Sequence, residues 1–270
     1  MKSLVELQTD RSTFSIGQAM SDGWNLVSKN LGFYILGGII AVVTGAAVGI
    51  IPIAGGMANS LILSPCFMAG AIFVSWRISN GKGWTDFGDM FRGFDFLLPV
   101  FISTLIQYAA SLGLTALVLL NYLEEIMELF RLSQGSGAYE NQEEMQAILR
   151  QMFNGKFVLL FLLLIAALLF ISALWAFKNH FIVIYKMQAW PAMEMSRRIA
   201  RNNLLRLVGL FIILGLIIII SALPCGIGLL FSLPLMIGAT YSAFAQITHC
   251  DQPDEINEEM FDFLAAKKEE

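Results

Sequence analysis

Charge is the scarcest property of this sequence. Only 14% of its 270 residues are Asp, Glu, Lys or Arg, while 57% are hydrophobic and the mean hydropathy is +0.68; soluble domains carry about 25% charged residues. A chain so poor in charge cannot cover a water-facing surface, and it reads as a membrane protein. Surplus positive charge is missing as well. The formal net charge is -4, which removes the global positive field that nucleic-acid binding needs.

Cysteine and histidine are nearly absent. Cys66, Cys225 and Cys250 lie far apart without a CxxC spacing, which excludes a redox pair, a zinc site or a disulfide framework; they read as small apolar fillers. His180 and His249 are the two histidines, neither has metal-ligand spacing around it, and no Ser-His-acid set can be placed. The tripeptide Asp86-Phe87-Gly88 lacks the glycine-rich loop, VAIK-type lysine and HRD sequence of a kinase. The stretch NGKGWT around Lys82 lacks the earlier glycine of a phosphate-binding loop. The central crossings hold no carboxylate for proton-coupled transport. No enzyme activity, cofactor or metal is expected.

What is present is long uncharged runs. About 20 apolar residues, rising 1.5 Å each, cross the roughly 30 Å hydrocarbon core, and six runs suffice: Leu31 to Ile51, Met57 to Trp76, Phe96 to Leu120, Phe157 to Phe177, Leu204 to Leu223 and Leu229 to Ile247. The fold expected is an all-α membrane protein with six transmembrane helices. Residues 1–30 are a polar segment without the short apolar region of a cleavable signal; residues 31–247 are the membrane domain; residues 248–270 are an acidic tail.

Lys and Arg mark the cytoplasmic side. Lys2, Arg11 and Lys29 precede the first crossing, Arg77, Lys82 and Arg92 separate the second from the third, and Lys178, Lys186, Arg197, Arg198, Arg201 and Arg206 cluster between or beside the fourth and fifth. The opposite side has the uncharged turns PIAGG and PCGIG and an acidic connection, residues 121–156, whose cations are Arg131, Arg150 and Lys156. Both termini are therefore expected in the cytoplasm.

The segment AMSDGWNLVSKN (19–30) before the first crossing parallels AMEMSRRIARNN (192–203) before the fifth. Each crossing then ends in a Pro-containing glycine turn, and the next helix carries a proline followed by Met-x-Gly-Ala, at Pro65 to Ala71 and Pro234 to Ala239. An offset near 170 residues and a common starting side describe a diverged parallel repeat. Each unit is an interfacial helix followed by a helical hairpin; the second such helix spans residues 190–203. Trp24 is suited to the interface, and Arg197, Arg198 and Arg201 are candidates to meet lipid headgroups. The plainer reading is a cluster that only sets topology.

Two small-residue ladders, Ala41, Gly45 and Gly49 on the first crossing and Gly56, Ser60 and Ser64 on the second, predict a tight helical hairpin. On the third crossing Thr104, Tyr108, Ser111 and Thr115, with Gln107 beside them, form a polar stripe that serves either as a solute or headgroup path or as interhelical glue. Lys178 and His180 follow the fourth crossing and precede the apolar run Phe181 to Tyr185. They are an intramembrane ionisable pair if the helix continues, or a snorkelling pair if it ends near Phe177. In the acidic connection, Ile126, Leu129 and Phe130, then Met145, Ile148, Leu149, Met152 and Phe153, predict two amphipathic helices around SQGSGAYEN. They cap the bundle or offer a partner surface.

The order PCFMAG, DMFRGFDF, WPAMEMSRRIARNN and GIGLLFSLPLMIGATY across residues 15–247 resembles bacterial integral-membrane proteins related to the membrane domain of glycerophosphodiester phosphodiesterases. The resemblance implies a six-helix bundle in a bacterial inner membrane, and it implies no catalytic residues, because no phosphodiesterase domain accompanies it. The function expected is an accessory or scaffolding component of a membrane complex, in contact with lipid and with a membrane-protein partner or a second copy. A transporter or lipid-handling protein using the third-crossing stripe is the alternative.

Overall fold

The structure is a computed structural model that describes residues 1–9, 12–82, 86–134, 142–223 and 226–251. The acidic tail beyond 251, Pro224-Cys225 of the second glycine turn, Arg11 and the tip of the acidic connection lie outside these residues. Everything described is helix, turn or connection, without a strand. In chain order come α1 (Leu4–Thr9), α2 (Ile16–Ser28), α3 (Leu31–Gly49), α4 (Ala54–Ala58), a π-helical turn (Asn59–Leu63), α5 (Ser64–Ser79), a 3-10 run (Phe87–Phe96) and α6 (Leu97–Leu119). A 3-10 turn (Leu120–Tyr122), α7 (Leu123–Gln134), α8 (Gln142–Met152), α9 (Gly155–Leu174), α10 (Lys178–Ile184), α11 (Ala189–Ala222) and α12 (Leu229–Thr248) complete it. Six helical stretches are long and apolar enough to span a membrane: Leu31–Gly49, Ala54–Ser79, Phe87–Leu132, Gly155–Ile184, Ala189–Ala222 and Leu229–Thr248.

Local sequence explains where these stretches begin and break. After α2, the Asn30 amide donates to the Leu26 carbonyl at 3.2 Å, closing the helix before α3 starts. No such break separates residues 190–203 from the fifth crossing. They form one 34-residue helix, with Pro191 in the first turn, where a missing N–H costs little. The turn after α3 does not use its glycines for unusual backbone. Ile53 takes φ 61 and ψ -61, and the Ala54 N–H donates to the Pro52 carbonyl at 2.6 Å, a γ-turn of the rare positive-φ kind.

The chain divides into two compact units: Met1–Leu105 with Ala173–Glu270, and Ile106–Ser172. In the first, α2 packs most extensively on α12 and α5 on the 3-10 run. Both contacts are backbone against backbone. A Cβ on Gly23 would lie 2.4 Å from the Ala239 nitrogen, and one on Gly238 2.5 Å from the Gly23 carbonyl oxygen. Gly70 and Gly93 likewise approach the carbonyls of Met90 and Cys66. Both Met-x-Gly-Ala glycines, Gly70 and Gly238, are thus points where another element touches the helix. Ala19, Gly23 and Val27, at i, i+4 and i+8 on α2, are all buried. The core gathers around Trp76, Phe177, Phe181, Phe244 and Tyr241, each fully buried. The N-terminal segment closes it: the Lys2 N–H donates to the Thr248 carbonyl at 2.9 Å, and the Asn203 amide to the Ser12 carbonyl at 3.0 Å.

The second unit holds most of α6, the α7–α8 pair and nearly all of α9. Its packing centres on Tyr122 and Phe157, with rings 5.6 Å apart and edge to face, and on Ile148. Four apolar side chains of α9, Val158, Leu159, Leu162 and Leu163, are more than half exposed, as suits a helix facing lipid.

Candidate functional site

The most distinctive exposed surface of the first unit is the start of α11. Trp190, Glu194, Arg197 and Arg201 follow at steps of 4, 3 and 4 and so share a helix face. The Arg197 Nε and Nη2 donate to the Glu194 carboxylate at 2.8 and 2.6 Å, and the Arg198 Nε donates to Glu194 Oε1 at 3.2 Å. Arg201 is exposed. Three arginines against one glutamate leave this turn of surface with two net positive charges. The pairing occupies part of Arg197 and Arg198, two of the three cations expected to meet headgroups, because Glu194 lies three and four residues before them. Trp24, the other expected headgroup contact, is 40% exposed on α2.

Beside this face lies a cavity of about 270 Å³ lined by Trp175, Trp190, Met193, Glu194 and Arg197. Its walls come from two elements, the turn that ends α9 and the first turns of α11. They are held together by the buried Ser196, whose hydroxyl donates to the Leu174 carbonyl at 2.9 Å and accepts the Phe177 N–H at 3.1 Å. The serine closes the free end of α9 while fixing the Trp175 backbone against α11. Trp175, Trp190 and this clamp were not singled out from sequence; the only cue was two tryptophans preceding the charged segment.

The helix does resume after Phe177, as α10, and both Lys178 and His180 are buried, at 5% and 3% exposure. The snorkelling alternative is thereby corrected, since a snorkelling ammonium must reach water. The chain turns at Trp175–Phe177 and threads α10 between α5 and α11 rather than running out of the core. Lys178 Nζ has the Thr104 hydroxyl at 3.4 Å. His180 sits among rings, 5.0 Å from Phe244, 5.8 Å from Phe177 and 6.4 Å from Tyr241. Neither of its ring nitrogens has a hydrogen-bond partner among the described residues.

The third-crossing stripe lies on α6, along which the division into units falls between Leu105 and Ile106. Thr104 is buried in the first unit at Lys178. In the second unit, Gln107 and Ser111 are half-buried, Tyr108 is 50% exposed and the Thr115 hydroxyl bonds back to the Ser111 carbonyl at 2.9 Å.

The small-residue ladders differ in how far their members are buried. Gly45 is buried, and a Cβ there would meet only the Asn59 side chain, at 2.8 Å. Ala41 and Ser60 are half-buried, whereas Gly49, Gly56 and Ser64 are exposed. The packed glycines of α3 are Gly37 and Gly45, and Gly55 rather than Gly56 meets the Val48 carbonyl.

Sequence reading also missed the role of two cations counted for topology. Asp89, 1% exposed, receives Arg77 at 3.0 Å and Arg92 at 3.5 Å, and Arg92 lies over the Phe73 ring at 5.7 Å. This pins the 3-10 run to α5. The i,i+3 spacing of Asp89 and Arg92 was the available signal.

Residues 144–253 match the model of a family described as a domain of unknown function, DUF7847. The chain is similar to that family from near the start of α8 to the end of α12. The match takes in the basic face, the cavity and both buried ionisable residues, and leaves α1 to α7 outside it. No curated protein and no solved structure matches the chain.

Proposed function

We propose that the protein is a non-enzymatic, multi-pass membrane protein that serves as an accessory or scaffolding component, organising a membrane complex or the bilayer around it. The observation that carries this reading is how the interior polar groups of the first unit are used. Tyr34 bonds Ser75 at 2.8 Å, Ser79 bonds Tyr241, Trp76 and Asn80 both donate to the Cys250 carbonyl at 3.1 and 3.0 Å, and Asp89 holds two arginines. Each joins one element to another, and together they brace a rigid base instead of converging on a reaction centre. The reading extends to a bacterial inner membrane with both termini cytoplasmic, α2 and residues 190–203 as interfacial segments of a diverged parallel repeat, and kinship with the glycerophosphodiester phosphodiesterase membrane domain. Mild-detergent purification from native membranes, with mass spectrometry of what co-purifies, tests it. A stoichiometric membrane-protein partner or a stable homo-oligomer is expected; a lone monomer that transports a solute in liposomes would overturn it.

The second reading, a transporter or lipid-handling protein, is favoured by one feature: among the described residues, Lys178 and His180 are buried without a carboxylate partner or a hydrogen-bonded ring nitrogen, the setting in which intramembrane ionisable residues usually act. Flux in liposomes that is lost on replacing Gln107 and Tyr108 supports this reading over the first.

A further inference from the structure

We propose that the cavity between Trp175 and Trp190, together with the α11 face that runs from it, is a binding site for one phospholipid with a phosphoethanolamine headgroup. The inference rests on the chain crossing a membrane and not on the scaffolding role. Its basis is the order of chemistry along a single helix face. Trp190, Glu194, Arg197, Arg201, Leu205, Ile212, Leu216 and Ile219 recur at steps of 3, 4 or 7 and so lie on one side of α11. Along that line the surface is aromatic, then acidic, then basic, then apolar: Leu205 is 87% exposed, and Ile212, Leu216 and Ile219 are exposed after it. A phosphoethanolamine lipid has the matching order of ammonium, phosphate and acyl chains.

Each part of the site suits its portion of the ligand. Tryptophan faces attract cations, and the cavity has two tryptophans and a carboxylate. A carboxylate offers roughly four acceptor positions, of which Glu194 fills three with Arg197 and Arg198. One position on Oε2 is left for an ammonium N–H. At 1.5 Å rise per residue, Arg197 lies about 4.5 Å and Arg201 about 10 Å along the axis from Glu194, toward the apolar end. Arg197 Nη1, both terminal nitrogens of Arg198 and the whole Arg201 guanidinium have no protein bond among the described residues, and these groups suit phosphate oxygens. Ser196 holds the Trp175 turn on α11 before any lipid arrives, so the cavity is preorganised. A quaternary ammonium has no N–H for Glu194, and a glycerol headgroup has no cation for the tryptophans.

Native mass spectrometry of the delipidated full-length protein, offered phosphatidylethanolamine, phosphatidylcholine and phosphatidylglycerol at equal concentration, tests the site. One phosphatidylethanolamine should be retained at least tenfold more than either other lipid. Trp190→Ala should abolish that preference and Trp190→Phe keep it; Trp190 is 68% exposed, so neither change threatens the fold. Arg197→Gln should lower retention of all three lipids. Phosphatidylglycerol equal to or above phosphatidylethanolamine, or Trp190→Ala without effect, would overturn the assignment. Because the isolated chain is used, failure to find a protein partner leaves this result standing, and failure here leaves the scaffolding proposal standing.

Discussion

Adding one methyl group to Gly23 should separate α2 from α12. The new Cβ would lie 2.4 Å from the Ala239 nitrogen, 2.5 Å from the Gly238 carbonyl carbon and 2.6 Å from the Ala239 Cα. All three are backbone atoms of one helix, so no rotamer change relieves the contact, and α2 must withdraw by about 1 Å to restore ordinary packing distance. That opens the seam lined by Ala19, Val27 and Gly238. Overpacking of this kind costs about 1–3 kcal/mol; a backbone target puts Gly23→Ala at the upper end, near 3 kcal/mol. Replacing glycine by alanine inside a helix returns about 1 kcal/mol, leaving a net loss of about 2 kcal/mol. Gly17, on the same helix, has nothing within 4 Å of its Cβ position, so Gly17→Ala receives the gain alone. The two substitutions are chemically identical and should differ by about 3 kcal/mol. Thermal unfolding in mild detergent, followed by near-ultraviolet circular dichroism, should show Gly23→Ala lowered by about 4–8 °C and Gly17→Ala slightly raised. Equal shifts for the pair would refute the close-contact argument.

Three further predictions concern single positions. Lys178→Met removes a buried ammonium that, among the described residues, has the Thr104 hydroxyl at 3.4 Å as its hydrogen-bond partner; the melting temperature in detergent should stay level or rise, by about 1–3 kcal/mol in stability, and a marked fall would show that the charge is compensated. Ile53→Gly should stabilise by about 1 kcal/mol by relieving the positive-φ γ-turn, and a loss on thermal unfolding would count against that strain. Burial pushes the Cys250 thiol up to about 12, and the nucleophile is the thiolate. With Cys66 and Cys225 replaced by alanine, maleimide should therefore leave folded protein unlabelled from pH 7 to 9 and react after denaturation; rapid labelling of the folded form would contradict the burial.

Sequence by itself determined the six spanning stretches, because crossing requires only local apolar length. It placed Gly45 at a close contact but extended that ladder to Gly49, which is exposed, since how far a neighbouring element follows a helix face is not a local property. Tertiary structure alone decided the rest. Gly23 meets Gly238 across more than two hundred residues, and nothing near either glycine distinguishes it from the open Gly17. The burial of Lys178 and His180 depends on the chain turning at Trp175–Phe177 and entering the core, and Ser196 stabilises that turn from the following helix. The same bonds set Trp175 opposite Trp190, so the cavity arises from the meeting of two helix ends, each of which reads in isolation as an ordinary membrane border.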